Sequence, residues 1–318
     1  MATVHHTQHT VTVAAPADTA YDLIADAANW PRVFPPSVHV EQTPLGGGEE
    51  TIRIWATAND EVKNWTSRRR LDPAARTVTF RQQVSQPPVA SMGGTWTIRP
   101  LSAASCEVVL DHDFTAVGDT PQNVAWIGQA VDRNSGAELE RLRATAEQTA
   151  LMPELSLTFD DEVTIQGSAA DVHDFIWQAG AWEERLPHVK RVVLTEPGEG
   201  MQTLEMDTLA KDGSQHTTKS VRVSFRPGRI VYKQLLVPAL LTVHTGEWIL
   251  RDTPAGLSAT SRHTIVVNPD AVTRVLGAKA TVADARDFVR TALGTNSLAT
   301  LGHAKRYAEE RAGLSKVG

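Results

Sequence analysis

The chain repeats itself. Val11 to Ile24 aligns without a gap on Val163 to Ile176, so that Asp22 falls on Asp174 and Trp30 on Trp182, 152 residues on. The spacing recurs far downstream: Phe80-Arg-Gln matches Tyr232-Lys-Gln, and Gly94-Thr-Trp96-Thr-Ile-Arg99 matches Gly246-Glu-Trp248-Ile-Leu-Arg251. Near the end the register slips by 10, pairing Asn134-Ser135 with Asn296-Ser297 and implying an insertion before the last element of the second half. A fixed internal period is the mark of a duplicated structural unit. Two domains are therefore expected, 1–150 and 155–318, with the boundary near Pro153. Each is long enough to bury a core of its own.

Both halves read alike. A strand of alternating residues (Thr7 to Val13) leads into a short helix with Pro16 and Asp18 about its first turn. A second short helix or turn follows at Ala27 to Pro31, then strand-like runs at Glu50–Thr57, Val62–Arg70, Thr77–Val84, Gly94–Leu101 and Cys106–Val117. The half closes with a long helix carrying Val124, Ile127, Val131, Ser135, Leu139, Leu142 and Ala146 on one face. A curved antiparallel sheet wrapped round such a helix buries both apolar faces and tends to leave a cavity between them.

Composition narrows the partners. Lys plus Arg number 31 against 37 Asp plus Glu, a net charge of −6, which argues against a dedicated nucleic-acid binder. Hydrophobic residues at 41% and charged residues at 21% fit a globular chain. The single cysteine, Cys106, excludes an internal disulfide and a multi-thiolate zinc site. The N-terminus lacks the pattern of a signal peptide, and the longest apolar stretch, Leu235 to Val243, is half a membrane span interrupted by Pro238. A soluble, cytoplasmic protein is expected. His5, His6 and His9 lack the carboxylate pattern of a metal site, and none is expected.

The candidate chemistry lies on strand faces. Trp65, Ser67 and Arg69 are spaced by two and share one face, with Arg68 and Arg70 on the other. A buried guanidinium is costly unless paired, so Arg69 either works in the cavity or reaches the rim for an ion pair. In Val108–Phe114, His112 falls on the face of Val108, Leu110 and Phe114, as a hydrogen-bonded core residue or, in a wet pocket, a proton carrier. Ser135 interrupts the apolar stripe of the long helix, through pocket lining or close packing. Trp96 offers a flat wall for a planar ring, whereas Trp30 reads better as core. In the second half Lys219, Arg222, His244 and His263 are possible pocket groups without a ranking.

The order of elements, with Trp30-Pro31-Arg-Val-Phe34, Trp65-Thr-Ser67-Arg-Arg69 and Pro88 to Arg99, resembles the helix-grip fold and, more specifically, the two-domain aromatase/cyclases of bacterial aromatic polyketide pathways. The resemblance implies an α+β chain of two tandem helix-grip domains, each a curved antiparallel sheet around a long C-terminal helix with an internal cavity. It implies aldol closure of a first ring, then dehydration and aromatisation, on a ketoreduced poly-β-ketone carried by an acyl carrier protein beside other synthase components, with no cofactor. On that reading Arg69 anchors the developing enolate, Ser67 orients a hydroxyl, and His112 or a bound water carries protons. Trp65, Trp96, Phe80 and Ser135 line the pocket. The second half lacks Trp-x-Ser-x-Arg: its corresponding stretch is His216-Thr-Thr-Lys219-Ser-Val-Arg222, which favours the first domain for the chemistry. The competing class is a non-catalytic helix-grip carrier or sensor of an apolar or aromatic molecule, which the same cavity would serve.

Overall fold

A computed structural model describes residues 3–58, 61–209 and 215–313. The chain divides into two compact units, Met1–Ala150 and Leu151–Gly318.

In the first unit β1 (His5–Val13) is followed by α1 (Ala17–Ala25), a 3-10 turn at Ala27–Asn29, and α2 (Trp30–Val33). Six strands follow: β2 (Ser37–Gly46), β3 (Glu49–Ala58), β4 (Glu61–Asp72), β5 (Thr77–Gln82), β6 (Val89–Ser102) and β7 (Ser105–Ala116). The long α3 (Pro121–Glu147) closes the unit. The strands form one antiparallel sheet in the order β1-β7-β6-β5-β4-β3-β2. Strand β2 has no counterpart among the strand-like runs read from the sequence, because its apolar Val38 and Val40 give way to a polar stretch at Glu41–Thr43.

The stripe on α3 packs as its spacing predicts: Ile127, Val131, Ser135, Leu139, Leu142 and Ala146 are buried, and Val124 is half-buried. Pro121 opens this helix, and Thr120 caps it by accepting from the Asn123 amide at 3.3 Å. Leu139 and Leu142 meet Val13, Ile24, Val78, Trp96, Ile98 and Leu110 in the main core, which joins α1 and α3 to the sheet.

The second unit repeats the plan. After α4 (Met152–Leu155) come β8 (Ser156–Ile165), α5 (Ala169–Trp177), a 3-10 turn and α6 (Trp182–Arg185). Then follow β9 (Val189–Gly198), β10 (Met201–Leu209), β11 (Gln215–Phe225), β12 (Arg229–Leu236), β13 (Leu241–Thr253) and β14 (Gly256–Val267). The sheet order, β8-β14-β13-β12-β11-β10-β9, is that of the first unit. The slip of ten residues is an extra helix, α7 (Pro269–Leu276), placed before the long α8 (Val282–Arg311). It brings Val272 into a second small core with Leu240, Ile265, Val267, Ala285 and Val289. A capping box between Thr281 and Asp284 restarts the chain as α8. Each unit is thus an antiparallel sheet gripping its last helix.

Candidate active site

Arg69 is 2% exposed. Its Nε donates to Glu50 Oε1 at 2.8 Å, Nη1 to the Ile24 carbonyl at 2.9 Å, and Nη2 to the Ala25 carbonyl at 2.7 Å and again to Glu50. Its guanidinium lies 5.1 Å from the Trp30 ring, whose indole also donates to the Ile24 carbonyl, at 3.2 Å. One N–H, on Nη1, makes no hydrogen bond among the described residues. Burial pulls the guanidinium below its ordinary pKa and Glu50 opposes that pull. Spacing placed Arg69 on the inner face; geometry ties it to the C-terminal end of α1, where orphan carbonyls and the helix dipole attract a cation.

The second unit repeats this clamp. Glu50 pairs across its ladder with Arg69, and Gln202 with Arg222. Arg222 donates to Gln202 at 2.9 Å and to the carbonyl of Ile176, the counterpart of Ile24, beneath Trp177 and Trp182. The hairpin between β10 and β11 is one residue longer, so Ser220 and Arg222 answer Ser67 and Arg69. The second half thus keeps Ser-x-Arg, one residue beyond the fixed offset, and lacks only the tryptophan, where Thr218 stands. With an amide in place of a carboxylate, burial pushes Arg222 down to about 9.

The helix-facing side of the first sheet gathers most of the remaining candidates. His112 pairs with Gly94, and a Cβ there would lie 2.7 Å from the Phe80 ring, so the glycine makes room for that ring. Phe80 meets His112 edge-on at 5.6 Å, and Ser135 Oγ lies 3.5 Å from His112 Nδ1. Burial pushes His112 down to about 4, with His9 adding to the effect. It is therefore a neutral imidazole at physiological pH, not a group poised near neutrality. Ser67 is buried on the same face of β4. Trp96 is buried in the main core, while Trp65 is half-buried against Ile52 and Ile54.

Sequence reasoning missed Glu138. It sits on α3 one turn after Ser135 and one before Leu142, on the buried side of the helix. It keeps partial exposure, yet desolvation pushes its carboxyl up to about 7. A carboxyl three residues from a buried serine on an otherwise apolar stripe was the available signal.

Counterparts in the second unit are more polar and more deeply buried. Tyr232 replaces Phe80, His244 replaces Met92, Ser261 replaces Leu110, and His263 and Ser297 answer His112 and Ser135. His263 Nδ1 lies 3.0 Å from the Tyr232 hydroxyl and 2.9 Å from His244 Nε2. Its Nε2 lies 2.6 Å from Ser297 Oγ and 3.2 Å from Ser261 Oγ. Lys219 neighbours this site on β11 but belongs to the opposite strand face from Ser220 and Arg222.

A hollow of about 500 Å³ at the first sheet is lined by Arg68, Arg70, Arg81, Asp111 and Asp113 and also by Arg69, Phe80 and His112. Arg68 is bound to Glu49 and Arg81 to Asp113, so these charges largely neutralise one another.

A family model described as polyketide cyclase/dehydrase and lipid transport matches residues 4–147. The chain is 48% identical over 308 residues, 96% of its length and 95% of the relative's, to the granaticin polyketide synthase bifunctional cyclase/dehydratase of Streptomyces violaceoruber. It is 45% identical to the actinorhodin polyketide synthase bifunctional cyclase/dehydratase of Streptomyces coelicolor, covering 94% of this chain and 96% of that one. Among solved structures, the di-domain ARO/CYC BexL of the BE-7585A biosynthetic pathway aligns with a TM-score of 0.90 at 56% identity, covering 96% of this chain and 99% of the other. The di-domain ARO/CYC StfQ of the steffimycin pathway aligns at 0.87 and 37% identity with the same coverage.

Proposed function

We propose, for a chain that belongs to the two-domain bifunctional cyclase/dehydratases of polyketide synthases, that its first domain folds a ketoreduced poly-β-ketone and closes the first ring by aldol addition. The substrate arrives as a thioester on an acyl carrier protein, beside the synthase in the cytoplasm. Aromatisation follows by loss of water. The observation that carries this reading is the make-up of the first domain's helix-facing side. It combines a neutral imidazole at His112, a carboxyl at Glu138 with a pKa of about 7, and aromatic walls.

Phe80, Trp65 and Trp96 restrict how the chain bends, and holding the enolisable carbon against a distant ketone is worth about 7–11 kcal/mol at its best. A carboxyl near pKa 7 is divided between acid and base at neutral pH, the condition under which one group both removes and returns a proton efficiently. Glu138 takes the proton from carbon. His112, with Ser135 beside it, accepts a hydrogen bond or a proton from the hydroxyl. Ser67 orients an oxygen. Arg69 is assigned to positioning: it fixes the end of α1 with four of its five donors, leaving one N–H for a substrate oxygen.

The test is reconstitution with a minimal polyketide synthase, a ketoreductase and malonyl units. A shift from misfolded shunt products to one with an aromatic first ring is expected, and Glu138→Gln should slow its formation at least tenfold. An unchanged product profile on adding the protein would overturn the reading and favour a carrier of an apolar molecule.

A further inference from the structure

We propose that the second domain holds an acid–base centre of its own, in which His244 and Tyr232, joined through His263, remove water from the hydroxylated ring that the first domain closes. This rests on the reading above and divides its two steps between the domains.

The polar set is not required by the fold. The first domain builds the same sheet and helix with Phe80, Met92 and Leu110 where the second has Tyr232, His244 and Ser261. Exchanging apolar for polar side chains in a buried position costs stability unless every group is partnered. Here five side chains form one connected network of contacts between 2.6 and 3.2 Å. His244 enters the network through Nε2, with Nδ1 outside it. Gln234 Oε1 is buried with no hydrogen-bond partner among the described residues, whereas its first-domain counterpart, Gln82, accepts from Ser85 at 3.2 Å. Gln234 pairs with Ser220 on β11 and lies two residues beyond Tyr232 on the same face of β12. A buried acceptor without a partner thus lies on the face that carries the network, which suits a ligand bearing a hydroxyl.

The surroundings set the protonation states. Burial pushes His263 to about 4 and, with the neighbouring His263, pushes His244 to about 3, so both are neutral acceptors; Asp160, Asp161 and Arg290 are the charged groups that face His263. Burial raises the Tyr232 phenol above its ordinary pKa and keeps its proton in place. His244 Nδ1 takes the proton from the carbon between the carbonyl and the hydroxyl-bearing carbon as its Nε2 proton moves to His263 Nδ1, so that no imidazolium accumulates. The C–H electron pair becomes the new C=C bond, and the C–O bond breaks with its pair. Tyr232 gives its proton to the departing oxygen, which leaves as water, and the proton on His263 Nδ1 replaces it on the phenolate. His244 returns to its starting tautomer by proton exchange with solvent after the product leaves. No electron is gained or lost overall.

Tyr232→Phe and His244→Met each install the residue that the first domain already carries, and both are tested in the full chain. With minimal synthase, ketoreductase and malonyl units, initial rates of ring closure and of water loss are followed separately by mass. In Y232F the ratio of aromatic product to its hydrated precursor should fall at least tenfold while ring closure keeps its wild-type rate. An unchanged ratio, or an equal fall in ring closure, would overturn the proposal. If Y232F does not melt cooperatively, H244M decides by the same two rates. If the wild-type protein fails to redirect the products at all, the reading of the protein as a cyclase falls instead.

Discussion

The two halves share a frame and differ in what they show to their long helix. Glu50–Arg69–Trp30 and Gln202–Arg222–Trp182 perform the same task at the same place, yet one clamp contains a carboxylate and the other an amide. On the inner face the first domain keeps His112, Ser135 and Glu138 among apolar neighbours. The second builds a connected set from Tyr232, His244, Ser261, His263 and Ser297 and places a buried Thr300 where Glu138 would stand. Duplication preserved the arginine that anchors the first helix to the sheet, while the side chains between sheet and last helix diverged from largely apolar to polar. That layer is where chemistry can change without altering the backbone.

The largest expected effect comes from the clamps. Arg69→Ala strands the Glu50 carboxylate in a buried site and should cost about 3–5 kcal/mol. Arg222→Ala leaves only neutral acceptors unpaired and should cost about 1–3 kcal/mol. Urea unfolding of both variants measures the gap, and equal losses would break the claim that charge separates the two clamps.

Glu138 gives the next effect. Its carboxyl titrates at about 7 in the fold against 4.5 when solvated. Between those values the unfolded chain binds fewer protons than the folded one, so stability falls as pH rises and levels off above about 7. The loss is on the order of 3 kcal/mol. Glu138→Gln should abolish that fall, seen by comparing unfolding at pH 5 and pH 8; no change in the slope would remove the desolvated carboxyl from the site.

Third come the glycines under the aromatic rings. A Cβ at Gly94 would lie 2.1 Å from the Asp111 carbonyl, and at Gly246 it would lie 2.3 Å from the Tyr232 ring and hydroxyl. Each Gly→Ala change should cost about 1–3 kcal/mol by overpacking, the first more because its backbone obstacle is nearer, 2.1 Å against 2.7 Å to the Arg262 carbonyl at Gly246. Thermal melts that rank them the other way would show the second face to be the tighter. Smallest are the caps of the long helices. Thr281→Ala breaks a reciprocal capping box and should cost about 1 kcal/mol. Thr120→Ala removes one acceptor and should cost about half as much by the same measurement.

Periodicity and the repeat made the architecture legible. The stripe on α3 and the matching landmarks of the two halves dictated a duplicated sheet-and-helix unit, and the ten-residue slip announced α7. Strand β2 escaped because its polar half lacks alternation. Arg222 was visible as an unranked pocket group, but its match to Arg69 was hidden because one extra residue in a hairpin defeats a constant offset. The site was less legible, for a physical reason: strand alternation says which way Arg69 points but not what it meets. Its partners come from Ile24 and Ala25, more than forty residues away in sequence, and from a neighbouring strand. His112 was visible as an inward histidine, but its protonation depends on burial that only packing creates. Glu138 looked like one more helix-surface acid.

The clamp on α1 also makes a local element depend on a distant one. A nine-residue helix is too short to persist alone in water, and the cation that closes its C-terminal end is presented by β4 only after β3 has brought Glu50 alongside. The helix therefore depends on the hairpin for its persistence. Amides of α1 should exchange with solvent no more slowly than those of the β3–β4 ladder that holds them.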